Sequence, residues 1–311
     1  MINKNTLKLV LGLFIVQLLF ACEQDIEIEI KDDTPKIVLN GWLRNGEAPR
    51  IKLNESLSVL SNASNAPIVS AEVILFEGDT EVGQMEMIEE GVYSLPGFLI
   101  KENRHYKIEV SASDFDPVSA EVTVPAQLDS NNVQISYTVI NPTTPDNYLL
   151  GGQLDIAILD DDPEDNFFLI SNYYVNEFYE NNGSEDTVIN VNIGNPLNYR
   201  DPILSQIYVA GSGYLTFNDT YFSESNYEFR LISDYDLRGR TDQNGDVYSR
   251  QYYQLNMEKL SPGLYQYLLT LEDNQYPEAF TEPTQVFSNV KGGYGILGAS
   301  SSYEYIVEDQ F

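Results

Sequence analysis

Two neighbouring runs, HYKIEVSA (His105–Ala112) and PVSAEVTVP (Pro117–Pro125), decide what kind of body this chain makes. In the first, Tyr106, Ile108 and Val110 alternate with more polar residues; in the second, Val118, Ala120, Val122 and Val124 do the same. A period of two places every apolar side chain on one face of an extended strand and leaves the other face to water. Toward the N-terminus the pattern returns in KIVLNGWL, PRIKLNES, SAEVILFEG, TEVGQMEMI and GVYSL, with Gly and Asn at the turns between them.

About seven strands over residues 36–125 predict an immunoglobulin-like or prealbumin-like sandwich. Composition then changes. Of 22 Tyr, only Tyr93 and Tyr106 precede residue 126. A second, Tyr-rich β domain is expected over 126–311, with strands at VQISYTVI, QLDIAILD, NFFLISNYYV, DTVINVNI, GYLTFND, NYEFRLIS and VYSRQYYQLNM. One helix is expected within it: Ser261 suits the N-cap, Pro262 the first turn, and Leu264, Leu268 and Leu271 share a face. The fold class is therefore mainly β.

The chain of 311 residues carries 17 Lys+Arg against 48 Asp+Glu, a net charge of −31. A field of that sign repels nucleic acid and anionic lipid headgroups, so no nucleic-acid partner is expected. One Cys excludes an intrachain disulfide framework, and one His excludes sites that need two imidazoles. No cofactor is expected.

Residues 2–8 carry Lys4 and Lys8 without an acid, and the uncharged run LVLGLFIVQLLF follows at residues 9–20. Its length falls short of the roughly 20 residues a membrane span requires, so residues 1–21 read as a cleaved signal. Leu19 is too large for an ordinary small-x-small cut after Ala21. LFAC, from Leu19, Phe20 and Ala21 to Cys22, instead resembles the lipobox of a bacterial lipoprotein precursor, with Phe20 bulkier than usual. The resemblance implies that Cys22 becomes an acylated N-terminus, with palmitate among its chains, anchored in the outer membrane.

Residues 22–35 read as an acidic tether, since EQDIEIEIKDDTP holds six carboxylates between Glu23 and Asp33. Glu23 and Asp25 beside the lipidated Cys resemble the surface-export signal of Bacteroidota lipoproteins, which implies a cell-surface location.

The body offers several candidate sites, each with a plainer structural alternative. DDDPEDN, Asp160–Asn166, stacks oxygen ligands suited to Ca²⁺, yet lacks EF-hand spacing and fits a strand-ending turn. TDQNGDVY, Thr241–Tyr248, reads as a hairpin around Asn244-Gly245. KGGYGILG, Lys291–Gly298, lacks phosphate-loop spacing, so its glycines are expected to allow close backbone packing or a bulge. His105 reads as an ordinary strand residue rather than a general base. No catalytic or metal-binding residue is assigned, and the chain is expected not to be an enzyme. The adjacent pairs Tyr173-Tyr174 and Tyr252-Tyr253 should each send one ring outward.

The order of these pieces resembles the Bacteroidota lipoprotein family named domain of unknown function 4249. KIVLNGWL, GVYSL, the exit at Val124-Pro125, DDDPEDNFF, SDYDLRG and EPTQVFSNVKGGYGILG (Glu282–Gly298) carry the resemblance, the last most specifically. Phe167 and Phe168 stand where family members usually have paired Tyr. The resemblance implies an accessory lipoprotein partnered with a TonB-dependent receptor barrel. A carboxylate-based surface hydrolase and a stand-alone adhesive module are the alternatives.

Overall fold

The computed structural model describes residues 34–57, 66–140, 151–159, 164–181, 186–194, 197–198, 204–209, 212–220, 226–233, 237, 247–275 and 284–308. Contacts group Pro35–Phe311 into one compact unit. Its first strands are β1 (Ile37–Arg44), β2 (Arg50–Glu55), β3 (Ala71–Glu77), β4 (Thr80–Gln84), β5 (Glu86–Glu89), β6 (Val92–Ser94), β7 (His105–Ala112) and β8 (Phe115–Thr123). After a short 3-10 turn, Ser130–Asn132, come β9 (Val133–Ile140), β10 (Gly151–Leu159), β11 (Phe167–Asn181), β12 (Asp186–Gly194) and β13 (Leu197–Asn198). β14 (Ser205–Val209), β15 (Ser212–Asn218), β16 (Asn226–Ser233), β17 (Val247–Leu260), helix α1 (Pro262–Gln275) and β18 (Tyr294–Glu308) complete the set. The protein is mainly β with one α-helix among the described residues, and that helix is not long and apolar enough to cross a membrane.

One long sheet runs in the order β14-β15-β11-β17-β18-β1-β2-β6-β5, with β12 beside the far half of β11. Two four-stranded sheets, β4-β3-β7-β8 and β13-β16-β10-β9, accompany it. The alternation that defines β7 and β8 is realised in full: Tyr106, Ile108, Val110, Val118, Ala120 and Val122 all point into the first core. That core also takes Leu39, Leu43 and Leu53 from the long sheet, and Leu297 and Ala299 from β18. The second core lies between the other small sheet, through Leu154, Ile156 and Leu231, and the long sheet, through Phe168, Tyr253 and Leu255.

β18 joins the two halves. Its residues 294–300 pair in parallel with β1, and its residues 300–308 pair antiparallel with β17. Each half therefore has one edge without a strand partner, and side chains take the strand's place there. The Asn289 side-chain amide donates to the Leu297 C=O and accepts from its N–H, both at 2.9 Å. At Ala299, Ser261 donates its own N–H to the C=O at 2.8 Å and accepts the N–H on Oγ at 3.0 Å. On the opposite edge the Ser301 hydroxyl donates to the Pro125 C=O, and Gln127 Nε2 donates to the Ser302 C=O. Buried backbone groups are thereby satisfied without another strand.

The glycines of KGGYGILG serve close backbone approach. A Cβ on Gly293 would lie 2.3 Å from the Ile37 carbonyl oxygen, and one on Gly298 would lie 2.7 Å from Leu264 Cδ1. β18 can pair with β1 and receive α1 only because those side chains are missing. Helix α1 presses Leu264 and Leu268 onto the face of the long sheet opposite the two cores, against Leu169 and Leu260. Ser261 sits just before the helix as expected, but its hydroxyl serves Ala299 rather than the helix N-terminus.

TEVGQMEMI forms two strands rather than one. The chain changes sheets at buried Met85, so β4 joins the small sheet and β5 the long one, giving eight strands before Pro125.

Candidate functional site

The outer face of the long sheet, beyond helix α1, gathers the aromatic and charged side chains that neither core absorbs. Alternation assigns it Leu169, Ser171, Tyr173, Val175, Glu177 and Tyr179 of β11. Register places Glu258, Asn256, Gln254, Tyr252 and Arg250 of β17 opposite the first five. β18 adds Ser300, Ser302, Glu304, Ile306 and Glu308, of which the last four are exposed.

Two polar networks stand at the ends of this face. At the end nearer the helix, Trp42 Nε1–H donates to Ser300 Oγ at 2.7 Å, and the Ser300 hydroxyl donates to Glu258 Oε2 at 2.7 Å. Arg44 stacks on the Trp42 ring at 4.3 Å and brings Nε to 3.8 Å from the same carboxylate oxygen. Tyr214 lies close enough to feel Tyr173, Glu258 and Arg44, and burial raises its pKa. Ser300 is fully buried and Glu258 nearly so, which makes this a relay of satisfied groups.

At the other end, Glu177 accepts from the Tyr179 hydroxyl at 2.5 Å and from the Tyr252 hydroxyl at 2.9 Å. Arg250 pairs with Glu308, lies 3.6 Å from Glu177 Oε2 and reaches over the Tyr252 ring at 5.1 Å. The Tyr179 hydrogen bond, with those of Tyr252 and the Arg250 charge, holds the Glu177 carboxyl below its ordinary range. Burial, followed by the neighbouring Glu177, pushes Tyr252 up to about 12. Gln254 reaches back toward the Glu258 end by donating to Glu304 Oε2 at 2.7 Å.

Glu177 is thereby held as an ion. The same holds for Glu121, lowered by Lys291, and for Asp155, where hydrogen bonds from Gln153 and Arg230 outweigh the opposing effect of burial. A general acid needs the reverse shift. Among the described residues no group of three or more His, Cys, Asp or Glu is placed to hold a metal ion.

The residues singled out in the sequence fall elsewhere. Leu19, Phe20, Ala21, Cys22, Glu23 and Asp25 lie outside the described residues, as do residues 160–163 of the DDDPEDN turn and Asn244-Gly245. The end of that acidic turn is structural: the Asn166 N–H donates to both oxygens of the fully buried Asp219 carboxylate, and the Asp219 N–H returns to the Asn166 C=O. His105 is exposed at the start of β7, with Nδ1 3.2 Å from Thr123 Oγ1 and Nε2 3.7 Å from Glu121. Of the Tyr pairs, Tyr253 is fully buried and Tyr174 packs on the second core, while Tyr252 and Tyr173 take the outer face.

Sequence reading did not single out Trp42, Arg44, Glu177, Tyr179, Arg250, Glu258 or Ser300. A signal exists for three of them: Glu177 and Tyr179 on one strand, and Arg250 beside the already noted Tyr252 on another, are spaced by two, with Glu177 and Arg250 opposite in charge. Only the register pairing Glu177 with Arg250 makes it visible.

A mainly β body whose long sheet carries polar and aromatic side chains on its outer face defines the class of this protein. The chain belongs to the family described as Domain of unknown function (DUF4249), whose model matches residues 23–306. No curated protein matches it.

Proposed function

We propose that this chain is a non-enzymatic outer-membrane lipoprotein facing the cell surface. It serves there as an accessory subunit of a TonB-dependent receptor complex, in substrate capture or docking. The observation that carries the anchoring is LFAC at the end of an uncharged run, followed at once by Glu23 and Asp25. Loss of residues 1–21 removes Lys4 and Lys8, leaving 15 basic against 48 acidic residues, a net of −33. Such a chain has no polybasic route to a membrane, so acyl chains on Cys22 must hold it, and stable anchoring takes more than one. The receptor partnership rests on the family resemblance.

The test is a mild-detergent pull-down of tagged full-length protein from its native membrane beside Cys22→Ala, with metabolic labelling by an alkynyl fatty acid. The expected result is label on the wild type, none on the variant, and a TonB-dependent barrel recovered in near-stoichiometric yield with the lipidated form. A lipidated protein that purifies alone overturns the accessory role, and an unlabelled wild type overturns the anchor.

A further inference from the structure

β1 and β18 run side by side in the same direction, and the two ends of that pair lead to different parts of the molecule. Register joins Val38 to Tyr294 and continues to Arg44 with Ser300, seven pairs in parallel. From Ser300 onward β18 leaves β1 behind and pairs antiparallel with β17, over nine positions from Leu260 to Tyr252. The residues that precede Ile37 therefore leave the pair at one end, and the β17 half begins at the other.

That order fixes the path of any tension between them. A pull on the residues before Ile37, opposed by a hold on the β17 half, acts along the two strands, whereas their hydrogen bonds lie largely across them. Every rung is loaded at once, so none opens ahead of the others. On its far side β1 is held by β2 over Ile37–Gly41, antiparallel, and the same pull shears that ladder too. A pull that instead parts the strands at Val38 and Tyr294 opens one rung after another. Resistance to force follows the barrier on the path taken, so the two directions differ although the equilibrium stability is the same.

The surroundings reinforce the pair. Leu39, Leu43, Leu297 and Ala299 are fully buried on its inner face, and Leu264 of α1 covers Gly298 on the outer one, so water has little access to the rungs. Ser300, where β18 changes partner, is also the middle of the hydrogen-bonded chain from Trp42 on β1 to Glu258 on β17. Side chains thus tie the two ladders together at the place where tension passes from one to the other. Just beyond β1, the Asn45 N–H adds a bond to the Ser300 C=O at 3.0 Å.

We propose that the β1–β18 pair is a shear clamp, which carries tension between the segment before Ile37 and the β17 half without unfolding, with Trp42 and Ser300 as its cross-tie. The proposal goes beyond the anchoring and receptor role above and depends on neither, since the clamp follows from strand order.

The experiment is single-molecule force spectroscopy on the full-length Cys22→Ala chain, which lacks the only native thiol. Pro35→Cys with Ile306→Cys gives attachment points that load the pair along its strands. Pro35→Cys with Tyr294→Cys parts it at the end where both strands begin. All three positions are exposed. Urea melts establish that each chain is folded before it is pulled. The first geometry should need at least about twice the unfolding force of the second at one loading rate. Ser300→Ala and, independently, Trp42→Phe should lower the force in the first geometry and leave the second unchanged, because peeling starts at Val38, at the opposite end of the pair. A residue that only stabilises the fold would move both. The proposal is overturned if the two geometries yield at equal force, if neither substitution lowers the force along the strands, or if the substitutions lower both forces alike.

Discussion

Asn289 holds Leu297 as a neighbouring strand would, with its side-chain amide donating to one backbone group and accepting from the other at 2.9 Å each. Leu297 is itself fully buried, so the edge it stands on has little access to water. Asn289→Ala should cost about 1–3 kcal/mol, the price of leaving buried backbone groups unpaired. Asn289→Asp keeps the acceptor and loses the donor, so it should fall between. Urea unfolding of the three proteins checks the order.

Gly293 and Gly46 separate two reasons for having glycine. Gly46 adopts φ +81° with open space around a would-be Cβ, whereas a Cβ on Gly293 would collide with the Ile37 carbonyl. Gly46→Ala should cost about 1–2 kcal/mol, the left-handed backbone penalty. Gly293→Ala should cost more, because β18 must move away from β1. Equal losses would mean that the strand pair adjusts freely.

Ser300→Ala removes the middle of a relay, leaving the Trp42 Nε1–H without a partner and the buried Glu258 Oε2 with only Arg44, 3.8 Å away. A loss of about 1–3 kcal/mol is expected, since a buried donor loses its acceptor and a buried carboxylate loses its hydrogen bond. Trp42 emission should shift with it. A stability unchanged within error would show that water replaces the hydroxyl.

Glu177 gives a pH dependence with a definite sign. Its folded pKa lies below the ordinary value, so it stabilises the fold above the ordinary glutamate range, and that contribution is lost as pH falls through the lowered value. The stability gap between wild type and Glu177→Gln should be widest at neutral pH and close in acid. Denaturant melts from about pH 7 to about pH 3, spanning the glutamate range, measure it. A gap that persists in acid would assign the loss to packing rather than charge.

Leu264 is 2 % exposed and rests on Gly298 and Leu169. Leu264→Ala should cost about 2–5 kcal/mol, and far-ultraviolet dichroism should show whether helix α1 detaches with it.

Strand positions were legible wherever burial on one side enforced alternation, as in β7, β8 and β10. β18 was not, because ILGASSS has neither alternation nor β-branched density; small residues stand there since β1 on one side and α1 on the other leave no room. The break at Met85 was equally hidden, because only a one-residue shift of phase, from Val82 to Met85 and Met87, marks it within a short run. The outer-face networks depend on register between strands more than 70 positions apart, such as Glu177 and Tyr252. No local pattern encodes that pairing. The helix could be read because its signals, Pro262, Leu264 and Leu268, all lie within two turns.

Because β18, which completes both cores, follows every other described strand, order of synthesis matters. When residues up to Pro125 have left the ribosome, the first core still lacks Leu297 and Ala299, and β1 has one bare edge. Joining Val38 to Tyr294 closes a long loop, a slow event. Neither core can finish early, so the nascent polypeptide stays unlocked until β18 emerges.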